Sequence, residues 1–514
     1  MRRIWTALAL TLVTAPAAAE IRQAHVAGGT VEGEVADGLS QFKGIPFAAP
    51  PVDDLRWQAP QPVVPWLGVR RTTTFGPACM QGETLARQMG TTAPISEDCL
   101  YLDVWTPANA ATDKLPVIVW IYGGGFNAGA TSVPLYDGAN FARQGVVFVS
   151  LSYRLGPFGF LATPELSAES GMGSGNYGLL DLVAGLAWVR ASIAEFGGDP
   201  ANVTILGHSA GSMAVSNLLA SPLARGLFDK AIAESGASFA PPQAEAWAGG
   251  NIATLAFAEA NGKAWLESLG APTLERARGL SAKELDAAQR APGAPGFRPV
   301  MDGVVVPGDQ VALWREHRFA DVPLLVGATS AEWGAQPTTA AAFVERVTRE
   351  YGERAPALLA AYPHASDAEA STSATLLGTD SFVWNAYTWA RLQAEQGTSP
   401  TFAYRFHRPT AQNPLGSPHG SEVALVFGNE DKRPGRAGWS EADRALSRQL
   451  QGYWVNFART GNPNGPGLPQ WPEFAAGQPT VMQLGAETGP IALPGAARLA
   501  ALDGYFAWRR GDGR

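Results

Sequence analysis

The stretch Phe196–Gly211 constrains the fold of this chain more strongly than any other. Its apolar, mostly β-branched run Val203–Leu206 predicts a buried strand, and the residues Met213–Ala220 that follow predict a helix. The sequence GHSAG joins the two. Between a strand and a helix, a Gly-x-Ser-x-Gly turn exposes the hydroxyl of its serine, here Ser209, and turns the N–H of Ala210 toward a developing oxyanion. Taken alone, the motif is also compatible with an ordinary glycine-rich turn.

Apolar runs and helical segments alternate along the chain. The runs that predict strands are Ser96–Pro107, Leu115–Tyr122, Gly145–Ser152, Lys230–Ser235 and Val322–Ala328. This alternation predicts an α/β fold with a large, mostly parallel central sheet. The Pro-rich stretch Phe42–Trp57 is expected to be a packed loop, because proline fits neither a helix interior nor a central strand.

Two Ala-rich stretches, about 243–290 and 338–397, interrupt the alternation. We expect them to be helical insertions that form a cap over the carboxyl-terminal edge of the sheet, where ligands bind in such folds. Peripheral packing helices are the alternative.

The N-terminus has the pattern of a secretory signal peptide at residues 1–19. Two arginines precede an apolar run at Ile4–Val13, and small residues at Ala17–Ala19 offer a cleavage site. The run is shorter than the roughly 20 apolar residues that span a bilayer, so a removed signal is favoured over an anchor. We expect a secreted or periplasmic protein with no membrane span, organised as one catalytic domain over residues 20–514.

Charge and cysteine content narrow the classes of partner. The formal net charge is −8 and no basic run is present, so neither nucleic acid nor an anionic membrane is an expected partner. Cys79 and Cys99 are the only cysteines and predict one disulfide in an exported chain. A two-thiol metal site is the alternative, disfavoured because no histidine lies near them. The oligomeric state is left open.

A serine nucleophile needs a base, and His419 is the best candidate among the six histidines. It lies in the Pro/Gly/Ser-rich sequence SPHGSE, well downstream of Ser209, whereas the other histidines lie beside the nucleophile, near the N-terminus, in helical contexts or in a strand. The acid partner is expected between Ser209 and His419, after a sheet strand. Glu332 fits that position, and Asp302 is the second choice.

The triplet Gly123–Gly125 directly follows the predicted strand LPVIVWIY. Without side chains, its backbone can approach a substrate closely. A flexible turn would have the same composition. After a buried strand and upstream of Ser209, however, the triplet has the form of an oxyanion loop.

The chain resembles the type-B carboxylesterase/lipase family, which includes the cholinesterases, over most of its mature length. The resemblance rests on Phe196–Gly211 and on the further segments Glu97–Pro107, Phe42–Trp57, Trp120–Phe126, Ser152–Phe160, Gly175–Asp181, Glu234–Gly236 and Tyr453–Asn464. It implies the α/β-hydrolase fold and a triad of Ser209, Glu332 and His419. It also implies that the N–H groups of Gly124, Gly125 and Ala210 form the oxyanion hole. Finally, it implies a disulfide between Cys79 and Cys99 and the two structural ion pairs Arg56–Glu97 and Arg154–Asp181.

Two positions depart from the family pattern. His208 stands where the family usually has Glu, which changes the charge beside the nucleophile. Trp333 follows the acid where Gly is frequent, and we expect it to line the pocket together with His208, Phe126 and Phe297. The segment between the two cysteines contains no aromatic residue that would hold a quaternary ammonium group, which disfavours a cholinesterase.

These features predict a secreted serine carboxylesterase that hydrolyses small-molecule esters through an acyl-enzyme intermediate without a metal or an organic cofactor. A hydrolase for an unusual ester, carbamate or amide is the first alternative. A non-catalytic binding protein on the same fold is the second, because fold alone does not imply function.

Overall fold

The computed structural model describes residues 20–244, 252–432 and 438–512 of the 514-residue chain. The predicted signal peptide at residues 1–19 lies outside the described residues.

The strands are short and distributed over the whole described chain. They are β1 Gln23–Val26, β2 Gly29–Glu32, β3 Glu34–Ala36, β4 Leu39–Pro46, β5 Val69–Arg71, β6 Ala78–Cys79, β7 Ile95–Ser96, β8 Tyr101–Thr106, β9 Leu115–Ile121, β10 Val147–Leu151, β11 Gly198–His208, β12 Lys230–Glu234, β13 Ala253–Thr254, β14 Val300–Met301, β15 Leu324–Thr329, β16 Thr401–His407, β17 Thr480–Gly485 and β18 Gly489–Ala492.

The helices lie between the strands and after them. They are α1 Glu83–Met89, α2 Ala139–Ala142, α3 Gly156–Phe160, α4 Pro164–Ser170, α5 Tyr177–Ser192, α6 Ala210–Ala220, α7 Leu255–Ser268, α8 Leu274–Arg278, α9 Ala282–Gln289, α10 Gln310–Arg315, α11 Ala340–Tyr351, α12 Ala355–Ala361, α13 Asp367–Gln396, α14 Val423–Phe427, α15 Glu441–Thr460 and α16 Ala496–Arg510.

Within the described residues, eleven strands form one sheet in the order β18-β17-β16-β15-β12-β11-β9-β10-β8-β4-β3. The seven strands from β17 to β10 in that order pair in parallel. The remaining edge strands pair antiparallel. The predicted α/β fold with a large, mostly parallel sheet is therefore confirmed.

The central strands are apolar along their length because helices cover them. Val117–Ile121 of β9 and Val147–Leu151 of β10 are buried at every residue. Helices α6 and α15 both pack against β9 and β11. Strand β11, which leads to Ser209, is thus held in the middle of the sheet, and its end is fixed.

The prediction of a loop over Phe42–Trp57 is wrong for its first residues, Phe42–Pro46, which belong to a strand. Strand β4 runs as far as Pro46 and pairs antiparallel with β8, with a register shift between Phe42 and Ile45. Proline is tolerated because Pro46 is the last residue of a strand near the edge of the sheet, where a missing N–H costs little. The shift at this point accommodates Gly44, which has a φ of +77°.

The two Ala-rich stretches contain helices. Helices α7, α8 and α9 lie within 243–290, and α11, α12 and α13 lie within 338–397. Residues 245–251 of the first stretch are outside the described residues. No helix in the described part of the chain is long and apolar enough to cross a membrane.

Both ion pairs implied by the family resemblance are formed. Arg154 binds the Asp181 carboxylate through Nε and Nη2 at 2.9 and 2.7 Å. Arg56 binds Glu97 through two hydrogen bonds of 2.6 Å. Both pairs are largely buried and bidentate, a geometry that fixes the orientation of the segments they join.

Cys79 and Cys99 form a disulfide across a sequence separation of 20 residues. Closing a loop of this length restricts the unfolded chain, so replacing both cysteines by serine is expected to lower the free energy of unfolding by about 3 kcal/mol. Urea titration of the oxidised wild type and the double variant measures this difference. The reduced wild type is the control and should approach the variant; equal stabilities of oxidised wild type and variant would contradict the expectation.

Candidate functional site

Ser209 lies in the turn between β11 and α6, at the centre of the sheet. Its backbone has φ 57° and ψ −123°, a conformation that is rare and strained for a residue with a side chain. The two glycines of the motif are required by close packing: a Cβ on Gly207 would collide with Gly211, and one on Gly211 with the carbonyl of Ile121. The serine side chain is therefore presented at the tip of a turn that only this glycine pattern permits.

Two loops bring the predicted acid and base to this turn. Glu332 lies three residues after the end of β15, and His419 lies in the loop after β16. The loops are joined by backbone hydrogen bonds, from Ala331 N–H to the carbonyl of Ser417 at 3.0 Å and from His419 N–H to the carbonyl of Glu332 at 2.9 Å. Parallel strands deliver their carboxyl ends to the same edge of the sheet, which explains why these distant segments meet.

Ser209, His419 and Glu332 form one hydrogen-bond chain. His419 Nε2 lies 2.8 Å from Ser209 Oγ, and His419 Nδ1 is hydrogen-bonded to Glu332 Oε2. The other carboxylate oxygen of Glu332 accepts the Thr329 N–H at 2.7 Å and the Ser235 hydroxyl at 2.8 Å. Since Glu332 is only 2% exposed, these donors fix its position against the imidazole. The arrangement can take a proton from the serine hydroxyl.

The electrostatics around His419 favour its protonated form. Burial lowers the pKa of His419, but the hydrogen bond to Glu332 and the charges of Glu332 and Glu422 outweigh it, and the pKa lies above its ordinary value. An imidazolium formed during a proton transfer is thus stabilised.

A second buried carboxylate, Glu422, lies close to Glu332 and was not predicted from the sequence. The Ser235 hydroxyl lies 3.2 Å from Glu422 Oε1, so Ser235 bridges Glu422 and Glu332. Burial and the charge of Glu332 raise the pKa of Glu422 to about 7. The sequence signal available for it was a carboxylate three residues after His419 and directly before the apolar helix α14.

The side chain of His208 packs against His419. The two imidazole rings are 4.6 Å apart, and no described residue hydrogen-bonds the buried Nε2 of His208. Burial and the neighbouring His419 hold the pKa of His208 well below its ordinary range, so this side chain is neutral. Gly420 leaves the space that the ring occupies, because a Cβ there would lie 3.1 Å from His208 Cε1.

The predicted oxyanion donors belong to two segments, the glycine triplet and the start of α6. Gly123, the first glycine of the triplet, lies against the serine turn, because a Cβ there would be 2.8 Å from Ser209 Cβ. Ala210 is the first residue of α6, where backbone N–H groups have no partner within the helix. Among the described residues, no acceptor is hydrogen-bonded to the N–H of Gly124, Gly125 or Ala210. Gly124 and Gly125 have φ of +121° and +64°, values that glycine adopts without strain.

The aromatic residues predicted for the pocket lie in different places. Trp333 stacks near His419, with ring centroids 6.1 Å apart. Phe126 is buried edge-to-face against Phe160, which itself lines a cavity of about 520 Å³. Phe297 lines the same cavity and packs on Trp265, and the described residues that line it do not include Ser209, Glu332 or His419. Phe382 of α13 contacts His419 edge-to-face, with ring centroids 5.2 Å apart, and was not predicted from the sequence as a site residue.

The other candidate residues lie elsewhere. Asp302 accepts the N–H groups of Val304 and Val306 and has no bond to His419. His407 is hydrogen-bonded to Ser330 Oγ at 2.9 Å and supports the loop after β15. In the part of the chain that the structure describes, no group of three or more His, Cys, Asp or Glu is arranged to hold a metal ion.

Comparisons with known proteins agree on one family. The model of the Carboxylesterase family matches residues 16–497. The chain is 38% identical over 487 residues to the fumonisin B1 esterase of Sphingopyxis macrogoltabida, covering 90% of this chain and 86% of that protein. It is 36% identical over 471 residues to the para-nitrobenzyl esterase of Bacillus subtilis (strain 168), covering 87% and 91%. Among solved structures, a PNB esterase superposes with a TM-score of 0.81 at 33% identity, over 94% of this chain and 99% of that chain.

Proposed function

The chain belongs to the carboxylesterase family and is a carboxylic ester hydrolase, and on this premise we propose that Ser209, His419 and Glu332 are its catalytic triad. The observation that carries the proposal is the continuous hydrogen-bond chain from Ser209 Oγ through the His419 ring to the buried Glu332 carboxylate. A nucleophile, a base and an orienting acid in this order form the arrangement that activates a serine hydroxyl.

In the proposed mechanism, His419 Nε2 takes the proton of Ser209 as Oγ attacks the ester carbonyl carbon. The tetrahedral intermediate collapses as the alcohol leaves with the proton from His419, and the acyl group stays bound to Ser209. A water molecule, deprotonated by His419, then attacks the acyl-enzyme, and the carboxylic acid leaves as Ser209 regains its proton. The proton transfers use only the side chains of Ser209 and His419 and one water molecule.

The proposed oxyanion hole consists of the N–H groups of Gly124, Gly125 and Ala210. Free donors beside the nucleophile can hold the charge that develops on the carbonyl oxygen, and removing one such donor from an oxyanion hole typically costs about 10²–10³ in kcat. Support comes from the unpaired state of these N–H groups among the described residues.

The raised pKa of His419 sets the expected pH dependence. The base must be neutral to accept the serine proton, so kcat/KM is expected to fall as the pH decreases through this pKa. Because Glu332 and Glu422 favour the imidazolium, the midpoint is expected above the value of about 6.5 for an ordinary histidine. Rates of p-nitrophenyl acetate hydrolysis between pH 5 and 9 measure it, and a midpoint below 6.5 would contradict the assignment.

The proposed substrates are small-molecule esters, as membership of the carboxylesterase family supports. The para-nitrobenzyl esterase supports an ester with an aromatic alcohol. The fumonisin B1 esterase supports a second candidate, hydrolysis of a specialised ester, which the sequence analysis kept as an alternative.

We also propose that the protein is exported as one catalytic domain of residues 20–514 with helical insertions that cap the site. The N-terminal sequence pattern and the disulfide support export. Contact of Phe382, in the second insertion, with His419 supports the cap. N-terminal sequencing of protein recovered from the periplasm or the medium tests the cleavage site.

Two measurements test the proposed function. The wild type is expected to hydrolyse p-nitrophenyl esters from acetate to decanoate, and the optimal chain length reports the size of the acyl pocket. A fluorophosphonate probe is expected to label one serine, identified as Ser209 by peptide mass spectrometry, with heat-denatured protein as the control. Labelling of a different serine, or folded protein without either reaction, would reject the proposal.

A further inference from the structure

The indole of Trp333 lies open beside His419. Although tryptophan is usually well buried, 56% of its surface is exposed here. Its ring is nearly parallel to the His419 ring, with an interplanar angle of 19°. Phe382 contacts both rings edge-to-face, at 5.4 Å from Trp333 and 5.2 Å from His419. The rings of Trp333, Phe382 and His419 thus form a continuous aromatic surface that includes the proposed base.

Trp333 is held in place although it is exposed. Gly334 N–H donates to the carbonyl of Ala331 at 2.8 Å and closes a turn around it, and Gln336 Nε2 donates to the Trp333 carbonyl at 3.0 Å. On α13, Gly378 leaves room for the indole, because a Cβ there would lie 3.0 Å from Trp333 Cδ1. The indole is therefore packed over part of its surface, and its exposed part is available to a ligand without reorganisation.

The chemistry of the site determines which part of an ester can reach this surface. His419 must donate its proton to the oxygen of the leaving alcohol, so that oxygen has to lie near His419 Nε2. The alcohol portion therefore extends along the side of the site that His419 and Trp333 share, and the acyl portion remains on Ser209.

From this arrangement we propose that Trp333 is a specificity-determining residue that stacks on the alcohol portion of the substrate and selects esters of aryl or arylmethyl alcohols. The inference rests on the proposed triad. A planar ring covers more of the exposed indole than an aliphatic group of equal volume, and stacked aromatic pairs gain beyond the apolar area that they bury.

Two matched ester pairs separate the alcohol side from the acyl side. Benzyl acetate and cyclohexylmethyl acetate share the acyl group, whereas ethyl phenylacetate and ethyl cyclohexylacetate share the alcohol. In Trp333→Leu, the kcat/KM ratio of benzyl to cyclohexylmethyl acetate is expected to fall about fivefold, and the ratio of the acyl pair less than about twofold. Trp333→Phe, which keeps an aromatic ring, should retain most of the wild-type ratio.

The fully exposed Leu67, outside the site, provides the control Leu67→Ala, in which both ratios stay at the wild-type value. An unchanged benzyl ratio in Trp333→Leu would overturn the inference. An equal fall in both ratios would also overturn it. A parallel loss of all four activities and of fluorophosphonate labelling would overturn it too, because such a loss would indicate that Trp333 only holds His419 in position. Activity that survives Ser209→Ala would instead overturn the proposed function, and the inference with it.

Discussion

Replacing Ser209 by alanine is expected to lower kcat for p-nitrophenyl acetate by about 10⁴–10⁶, because the reaction loses its nucleophile and the acyl-enzyme cannot form. The fold should be retained. The hydrogen bonds that hold the Ser209 backbone do not involve its side chain. Its N–H donates to the backbone carbonyl of Glu234 at 2.8 Å, and its own carbonyl accepts the N–H of Met213 at 2.9 Å. Alanine keeps these bonds and tolerates the positive φ no worse than serine.

The measurement compares initial rates of the variant and the wild type at equal concentration, with circular dichroism and thermal unfolding as tests of folding. Ser216→Ala, in the helix α6 that follows Ser209, is the matched control, since among the described residues the Ser216 hydroxyl bonds only the Met213 carbonyl and the Ser238 N–H. Its activity is expected within about twofold of the wild type, a typical result for a residue remote from the chemistry. A folded Ser209→Ala variant with more than a tenth of the wild-type rate would reject Ser209 as the nucleophile.

The second large effect is expected from Glu332→Gln, which should lower kcat by about 10³–10⁴. The amide oxygen can keep the bonds from Thr329 N–H and the Ser235 hydroxyl. The amide NH₂ then faces His419 Nδ1, and this ring nitrogen has to accept rather than donate. The proton is forced onto Nε2, so the imidazole can no longer take the proton of Ser209.

Glu422→Gln is the matched control for this effect. Glu422 is equally buried and shares Ser235 with Glu332, but it has no bond to His419. Because burial and Glu332 raise the pKa of Glu422 to about 7, the amide resembles a form that the carboxyl already adopts near neutral pH. Its kcat is expected within about tenfold of the wild type, because the variant loses a charge that is not bonded to the imidazole. Similar losses in both variants would show that the buried carboxylates act by supporting the fold.

The fold was predictable where structure is local. Leu115–Tyr122 and Lys230–Ser235 are continuous apolar runs, and each becomes a buried parallel strand within one residue of the predicted ends. Prediction failed at β4, because the pairing of Phe42–Pro46 with β8 compensates for an unfavourable composition and is invisible in the segment itself.

The candidate site, like the fold, was predictable where the signal is local and unpredictable where it depends on packing. Ser209 was identified from its own five-residue motif, and His419 and Glu332 from their loops and chain order, and their catalytic roles are tested by the variants above. The position of Phe382 in the site could not be predicted, since it is one residue of a 30-residue helix and its side chain contacts His419 only after α13 has packed.

The family, the strand–turn–helix around Ser209 and the residue types available for the chemistry could be predicted from the sequence alone, because they depend on local backbone preferences and short motifs. Which of these groups meet depends on the tertiary structure. His419 reaches Ser209 across 210 residues, Ser235 reaches Glu422 across 187, and Trp333 and His208 border the same imidazole. Contacts over such separations are set by the order of strands in the sheet, which brings the carboxyl ends of β11, β12, β15 and β16 to one edge.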